Sequence, residues 1–210
     1  MNKYYTRLDY IDLPPPPKKI NMLQNLLLKR VTFRDFSRKP ISIKNLSDIL
    51  YFSMGVTHVS KVNPEKMLRA YPSAGAKFPL EAYILVLKGE GIKEGLYHYE
   101  PGNHSFDILL KNVSKEDINR LWISQKWFKN AAVIIFFTAV YKRTTSKYGK
   151  RGLPFPYIEA GHVVENIYLL AESLKIGCCA IGQVNEKALI KLLDINPTEE
   201  IPIYYVALGN

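Results

Sequence analysis

The sequence is poor in cysteine. Its 210 residues contain only two cysteines, Cys178 and Cys179, which are adjacent. Two thiols cannot build a disulfide scaffold or a four-cysteine zinc site, and a disulfide between neighbours would close a small, strained ring. We therefore predict that both are small buried residues in a protein of a reducing compartment, and we expect it to be cytoplasmic.

The sequence also lacks a long hydrophobic run. The longest, AAVIIFFTAV at residues 131–140, contains a threonine and is far shorter than the roughly 18 residues of a membrane-spanning helix. It is typical of a strand buried on both faces of a sheet. The N-terminal stretch MNKYYTRLDYIDLPPPP shows no apolar segment like that of a signal peptide. We expect no membrane partner.

Motifs that identify several enzyme classes are missing. The histidines, His58, His98, His104 and His162, do not have the spacing of metal ligands, so no metal site is predicted. The sequence contains neither G-x-S-x-G nor G-x-x-x-x-G-K-[ST]. Their absence disfavours hydrolases with a nucleophile elbow and P-loop enzymes.

Acidic residues are too few to balance the basic ones. The chain has 29 Lys and Arg against 19 Asp and Glu, a net charge of +10. Such an excess suits nucleic acid, an anionic membrane or a phosphate-bearing ligand. A nucleic-acid-binding protein is the alternative from another class, but the basic residues are spread along the chain and no RNP, helix-turn-helix or zinc-finger motif occurs. Nucleic acid is therefore disfavoured as a partner.

Helical and strand patterns are both present, without a regular β-α-β alternation. This mixture predicts an α+β fold with a central mixed or antiparallel sheet flanked by helices. Helices are predicted over residues 20–29, 42–54, 157–175 and 185–194, with a further helix capped by Ser114. Gly177 is expected to end the helix at residues 157–175. Strands are predicted over residues 81–88, 96–99, 106–111, 131–140, 178–181 and 201–208.

Four consecutive prolines, residues 14–17, form the one biased segment. They predict a stiff polyproline II stretch. Two interpretations are open: a ligand for a proline-binding domain, or an arm that lies on the fold or on a second subunit. We favour the arm, and divide the chain into an arm at residues 1–19 and a single domain at residues 20–210.

The first segment whose side chains could bind a ligand is R-V-T-F-R at residues 30–34. In an extended chain Arg30, Thr32 and Arg34 share one side. Two guanidinium groups and a hydroxyl suit a phosphate, since arginine presents a planar fork of donors. Taken alone, the segment fits a solvated basic edge equally well.

Two further segments could bring backbone close to a flat ligand. P-S-A-G at residues 72–75 combines small residues with a proline, and Gly182 with Gln183 follows a predicted strand. Uncovered backbone N–H groups at such positions can approach a ligand closely. For residues 72–75 the alternative is an ordinary turn before the strand at 81–88.

Lys147 and Tyr148 form an adjacent pair after the predicted buried strand. Lysine and tyrosine can both transfer protons, so the pair is a candidate general acid and base. The alternative is one more basic loop, because several lysines and arginines lie nearby.

In this order, these segments resemble the nitroreductase superfamily of flavin-dependent oxidoreductases, and within it the SagB-type dehydrogenases that form thiazoles and oxazoles. The resemblance covers about residues 11 to 209. Its most specific motifs are P-S-A-G-A at 72–76 with P-L-E at 79–81, G-L-Y-H-Y-E-P at 95–101, K-Y-G at 147–149 and E-A-G-H at 159–162.

The resemblance implies a nitroreductase-like fold working as an intertwined homodimer, with two FMN molecules at the subunit interface. It implies that Lys147 and Tyr148 are catalytic. It assigns cofactor binding to Arg30, Thr32, Arg34, Pro72, Ser73, Ala74, Gly75, Gly182 and Gln183, with residues 72–75 reaching the flavin of the neighbouring subunit. Thr32 stands where serine is usual and keeps the hydroxyl.

The function implied is hydride transfer between the flavin and a substrate or NAD(P)H, which is a candidate electron donor. The substrate would be a small molecule or a peptide, and one version of the reaction oxidises azolines to azoles. The alternatives are an NAD(P)H-dependent nitro or quinone reductase and a flavin-binding protein without catalysis.

Overall fold

The computed structural model describes residues 7–9, 11–59, 67–122 and 126–210. The described helices are α1 (Met22–Lys29), α2 (Ile43–Met54), α3 (Lys115–Arg120), α4 (Lys142–Tyr148), α5 (Phe155–Leu174) and α6 (Glu186–Leu193). The described strands are β1 (Ile41–Ser42), β2 (Val56–Val59), β3 (Met67–Arg69), β4 (Leu80–Val86), β5 (Gly89–Glu90), β6 (Gly95–Glu100), β7 (Ser105–Leu110), β8 (Val133–Ala139), β9 (Gly177–Ile181) and β10 (Ile201–Gly209).

The main sheet has six strands in the order β7-β6-β4-β8-β10-β9, and every neighbouring pair is antiparallel. The predicted α+β fold with an antiparallel sheet is confirmed. All residues of β8 are buried, as expected for a strand that pairs on both sides. The C-terminal strand β10 lies between β8 and β9, so the end of the chain pairs into the sheet as predicted.

Helices cover both faces of this sheet. Because side chains alternate along a strand, β8 directs Val133, Ile135 and Phe137 into the core shared with α2 and α5. It directs Ile134 and Phe136 into the opposite core, to which α6 contributes. The broad apolar stripe of α5 makes this helix the centre of the first core.

Several helix starts follow the sequence closely. Ser42 caps α2 by accepting a hydrogen bond from the backbone N–H of Asn45 at 3.2 Å, and Gly55 follows its last residue. Ser114 and Asn185 cap α3 and α6 in the same way. The caps were predictable because serine and asparagine side chains satisfy the free N–H groups of a first helical turn.

Three local expectations need correction. Helix α1 begins at Met22 and not at residue 20, because Asn21 caps it through a reciprocal pair of hydrogen bonds with Gln24. Helix α5 spans Phe155–Leu174 and is ended by Lys175, which has a left-handed backbone with φ 59°. The expected stop, Gly177, is instead the first residue of β9.

The described part of the predicted N-terminal arm, residues 7–9 and 11–19, contains no helix or strand. Its apolar residues Leu8, Ile11 and Leu13 are exposed. Helix α1, which follows, has no buried residue and exposes Met22 and Leu23 among others. This N-terminal region therefore presents much apolar surface to its surroundings.

Candidate active site

The segment with the two predicted arginines lies along the outer edge of β9. The backbone N–H of Phe33 donates to the carbonyl of Cys178 at 2.9 Å, and the N–H of Ser37 donates to the carbonyl of Asn210. A side chain at Gly177 would lie 2.2 Å from the Phe33 ring, so glycine is what lets this segment approach the strand.

Tyr168 on α5 contacts two of the three residues that are predicted to bind phosphate, Arg30 and Thr32. The guanidinium carbon of Arg30 lies 5.4 Å from the centre of the Tyr168 ring, a cation–π contact. The hydroxyl of Thr32 lies 3.3 Å from the Tyr168 hydroxyl, which also accepts a hydrogen bond from the backbone N–H of Ala180 at 2.8 Å. One buried tyrosine thus links the basic segment to β9.

Arg34 lies apart from this contact, beside the Cys179 thiol. Neighbouring residues of a strand point to opposite faces, and Cys178 and Cys179 belong to the two opposite cores. Burial raises the pKa of both thiols, while the charge of Arg30 lowers that of Cys178 and the charge of Arg34 lowers that of Cys179. The cysteines are buried and free, as predicted.

Gly182 and Gln183 are exposed where the chain leaves β9. A side-chain carbon built on Gly182 would meet no atom within 4 Å. This glycine is therefore not required by packing inside the chain, and its backbone is open to a ligand.

The second group of predicted residues forms what we call the Ser73 loop, residues 72–78. Its backbone is left-handed at Gly75 (φ 61°), Ala76 (φ 53°) and Phe78 (φ 43°). For residues other than glycine this conformation costs about 1–2 kcal/mol each. The loop therefore keeps its shape only because its surroundings hold it.

The Ser73 loop meets the predicted proton-transfer pair. Lys147 and Tyr148 end helix α4, whereas the sequence suggested a loop after the buried strand. A side-chain carbon at Gly75 would lie 2.6 Å from the Tyr148 hydroxyl and 2.8 Å from Lys147 Nζ. The structure thus brings two separately predicted segments into contact, and a side chain at position 75 would displace both functional groups.

Glu159, in the first turns of α5, was not predicted as a site residue although it lies under this loop. Its Oε1 accepts hydrogen bonds from the Ser73 hydroxyl at 2.9 Å and from the backbone N–H of Ala74 at 3.2 Å. One signal was available in the sequence. Glu159 precedes Val163 and Ile167 at intervals of four residues, so a carboxylate occupies a position on the apolar stripe.

A cavity of about 430 Å³ opens beside the Ser73 loop. In its wall Glu81 forms an ion pair with Arg143, which is one helical turn before Lys147. His98 Nε2 lies 2.9 Å from Glu81 Oε2. This hydrogen bond raises the pKa of His98. Burial raises the pKa of Glu81, but its bond to His98 and the charge of Arg143 together lower it below the ordinary value. The cavity wall therefore carries charged side chains, one of which, Arg143, belongs to the same helix as the pair.

The two groups of predicted residues do not converge within one chain. The first contacts α5 at Tyr168 and the second at Glu159. A separation of nine positions corresponds to about 13 Å along the helix and about half a turn around it. Within one chain the two groups therefore contact different sides of α5.

A family model described as the nitroreductase family matches residues 27–210. The chain belongs to the nitroreductase family. A nitroreductase-type protein of Methanocaldococcus jannaschii is 31% identical over 201 residues, covering 96% of this chain and 97% of that protein. The microcin B17-processing protein McbC of Escherichia coli is 26% identical over 202 residues, covering 90% of this chain and 69% of that protein.

Solved nitroreductase-like structures share the fold. The microcin synthetase McbBCD complex of E. coli, with truncated pro-MccB17 bound, contains a chain that matches with a TM-score of 0.73 at 18% identity, covering 97% of this chain and 78% of that one. A nitroreductase in complex with FMN from Desulfovibrio desulfuricans matches with a TM-score of 0.61 at 14% identity, covering 91% and 87%.

Membership of the nitroreductase family confirms the resemblance drawn from the sequence and makes the protein an oxidoreductase. The nitroreductase-like fold is likewise confirmed. Among the described helices, none is both long and apolar enough to cross a membrane.

Proposed function

We propose that this nitroreductase is an FMN-dependent oxidoreductase whose active site joins residues of two subunits. The observation that carries the proposal is the separation, on opposite sides of α5, of the basic segment from the Ser73 loop with its proton-transfer pair. Two copies of the chain would bring one group of each kind to each flavin.

The residues present fit FMN. Arg30 and Thr32, which meet at Tyr168, would hold its phosphate together with Arg34 of the same segment, since these side chains supply guanidinium and hydroxyl donors for an anion. The open backbone at Gly182 and Gln183 and residues 72–75 of the neighbouring subunit would contact the flat ring system. FMN, when bound, supplies hydride transfer, and the protein supplies binding and orientation.

A homodimer is supported by the exposed apolar surface. Besides α1 and the N-terminal arm, the region around the start of α5 exposes Leu153, Tyr157 and Ile158. Large exposed apolar areas mark interaction sites in soluble proteins. We propose that a second copy covers it, with residues 1–19 as an arm outside the domain at residues 20–210.

Lys147 and Tyr148 would move the proton of the reaction. Both functional groups face Gly75, and an adjacent amine and phenol can remove a proton from a substrate while hydride departs. Lys147 is exposed to solvent, and Tyr148 is held by an edge-to-face contact with Phe155 at 5.2 Å.

For the substrate we propose an azoline within a peptide, which is oxidised to an azole by loss of hydride and a proton. This assignment rests on the SagB-type resemblance and on the similarity to the microcin B17-processing protein. The second candidate is reduction of a nitro compound or quinone with NAD(P)H as electron donor, which the similarity to the nitroreductase-type protein favours. We propose a cytoplasmic location, in keeping with the two free thiols.

The cofactor proposal is tested by titrating purified protein with FMN while following flavin fluorescence and the visible absorption spectrum. We expect saturable binding of about one FMN per chain, with the protein sedimenting as a dimer. A protein that has no flavin band as isolated and does not bind added FMN would refute the proposal. Turnover with azoline peptide or with NAD(P)H and a nitro compound then separates the two candidate reactions.

A further inference from the structure

Glu159 is an unusual residue for its place in the fold. Its side chain is only 2% exposed, and it is the one carboxylate among the buried polar residues of the described chain. A buried carboxylate is costly because it loses its hydration. Burial accordingly raises the pKa of Glu159, against the opposing effects of its hydrogen bonds with Ser73 and Ala74 and of the charge of Arg69.

The contacts of Glu159 are concentrated on one oxygen. Oε1 accepts both hydrogen bonds from the Ser73 loop. The Ser73 hydroxyl in turn accepts a hydrogen bond from the backbone N–H of Phe78 at 2.8 Å. Ser73 and Ala74 thus bond directly to one carboxylate oxygen, and Phe78 is linked to that oxygen through the Ser73 hydroxyl.

The second oxygen, Oε2, is buried and has no hydrogen-bond partner among the described residues. Among the described residues, the carboxylate of Glu159 is therefore hydrogen-bonded to the Ser73 loop through Oε1 only. A carboxamide in its place retains an oxygen that accepts both hydrogen bonds. Glutamine at this position separates the effect of the acceptor from the effect of charge or of a transferable proton.

Glu159 is hydrogen-bonded to a strained loop, and this loop lies against Lys147 and Tyr148. Three of the residues in the Ser73 loop have left-handed backbones, and Gly75 lies against Lys147 Nζ and the Tyr148 hydroxyl. Without Oε1 the loop is free to relax away from α4. A displacement of about 1 Å at a reacting centre can cost about a hundredfold in rate.

We propose that Glu159 is a positioning residue, which fixes the Ser73 loop so that Gly75 stays against Lys147 and Tyr148. Its effect on catalysis rests on the proposed function of that pair. Its effect on the loop does not, because the contacts lie within one chain.

The test compares Glu159→Leu, which removes the acceptor, with Glu159→Gln, which retains it. Hydrogen–deuterium exchange in the FMN-free protein measures the loop directly, and FMN titration and steady-state kinetics measure the site. We expect Glu159→Leu to speed exchange of residues 72–78 at least about tenfold and to lower kcat about thirtyfold or more, with KM changed less than about threefold. Glu159→Gln should stay within about threefold of the wild type in both measurements.

Ser53→Ala is the control, since Ser53 is buried on α2 and its hydroxyl donates to the carbonyl of Leu50. It should leave loop exchange and kcat unchanged. Should Glu159→Leu not fold, Ser73→Ala removes the donor instead and should speed loop exchange in the same way.

Unchanged loop exchange in Glu159→Leu, or in Ser73→Ala where the first variant does not fold, overturns the proposal. A loss of kcat in Glu159→Gln equal to that in Glu159→Leu, with normal loop exchange, also overturns it, because the carboxylate would then act by charge or by proton transfer. If the wild type binds no FMN, the proposed function fails, and loop exchange alone decides the role of Glu159.

Discussion

In the proposed mechanism, two side chains at the end of α4, Lys147 and Tyr148, transfer the proton. Lys147→Ala removes an amine that lies against the Ser73 loop and leaves the basic segment at β9 intact. We expect FMN affinity within about threefold of the wild type and turnover lowered by about a hundredfold or more, the usual contribution of a positioned acid or base. FMN titration and steady-state kinetics check both values.

Lys150→Ala is the matched control for this variant, because Lys150 is exposed in the turn directly after α4. Its turnover should equal that of the wild type. Full activity in Lys147→Ala would remove Lys147 from the mechanism.

Gly182 allows a test of cofactor contact at a single backbone position. An added methyl group meets no atom of the chain within 4 Å, and the residue does not need a left-handed backbone. Gly182→Ala should therefore unfold at the same temperature as the wild type without FMN, within about 1 °C, yet bind FMN about tenfold more weakly. Equal FMN affinity would show that the flavin does not approach this backbone.

The residues of the site were predictable from sequence in different degrees. Arg30, Thr32, Lys147 and Tyr148 belong to short motifs with evident chemistry. Tyr168 and Glu159 were not predicted as site residues, because in the sequence they belong to the apolar stripe of a helix. Their partners are also distant: Thr32 is 136 residues from Tyr168, and Ser73 is 86 residues from Glu159. Only the fold reveals that one aligns the basic segment and the other holds the Ser73 loop.

At the scale of elements, Glu81 joins three of them through its carboxylate. It lies on β4, forms an ion pair with Arg143 of α4 and bonds to His98 of β6. His98 Nδ1 also lies 3.6 Å from Asp107 Oδ2 on β7. This network joins α4, which ends with the predicted proton-transfer pair, to the inner strands β4 and β6 of the sheet.

The network predicts a dependence of stability on pH. The folded state raises the pKa of His98 above 6.5, so its contribution is complete below that pH and is lost as the pH rises through the folded-state pKa. The pKa of Glu81 is lowered below 4.5, so its contribution is lost only in more acidic solution. At pH values between the folded-state pKa of Glu81 and that of His98, we attribute the pH-dependent change in the free energy of unfolding to His98.

We expect the free energy of unfolding of the wild type to fall by about 1 kcal/mol more than that of His98→Gln between about pH 5.5 and about pH 9. Urea titrations at both pH values measure the difference. His58→Gln, at an exposed histidine on β2, should retain the wild-type dependence. A wild-type slope in His98→Gln would assign the effect to another group.

The elements themselves were largely predictable, and the exceptions have physical reasons. The capping residues predicted the starts of α2, α3 and α6, and the apolar run at residues 131–140 predicted β8, because both signals are local in sequence. The end of α5 was predicted to within one residue, but not the residue that ends it, because Lys175 adopts the left-handed conformation for which glycine is the usual choice. Helix α4 was missed because its sequence KRTTSKY has no apolar stripe.

At the scale of the whole molecule, the two groups of predicted site residues contact opposite sides of α5. If each flavin takes Arg30 from one subunit and Lys147 from the other, Arg30→Ala and Lys147→Ala damage different halves of every site. Each homodimer then has two defective sites. A mixed dimer has one site that carries both substitutions and one site that carries neither.

Refolding the two inactive variants together should therefore restore activity. Random association makes half of the dimers mixed, each with one intact site of two, so we expect about a quarter of the wild-type turnover per chain. Each variant refolded alone should remain inactive, and so should a mixture in which one variant carries both substitutions and the other carries Lys147→Ala. Were both residues taken from the same subunit, every mixed dimer would still lack an intact site, and the mixture of single variants would be no more active than its components.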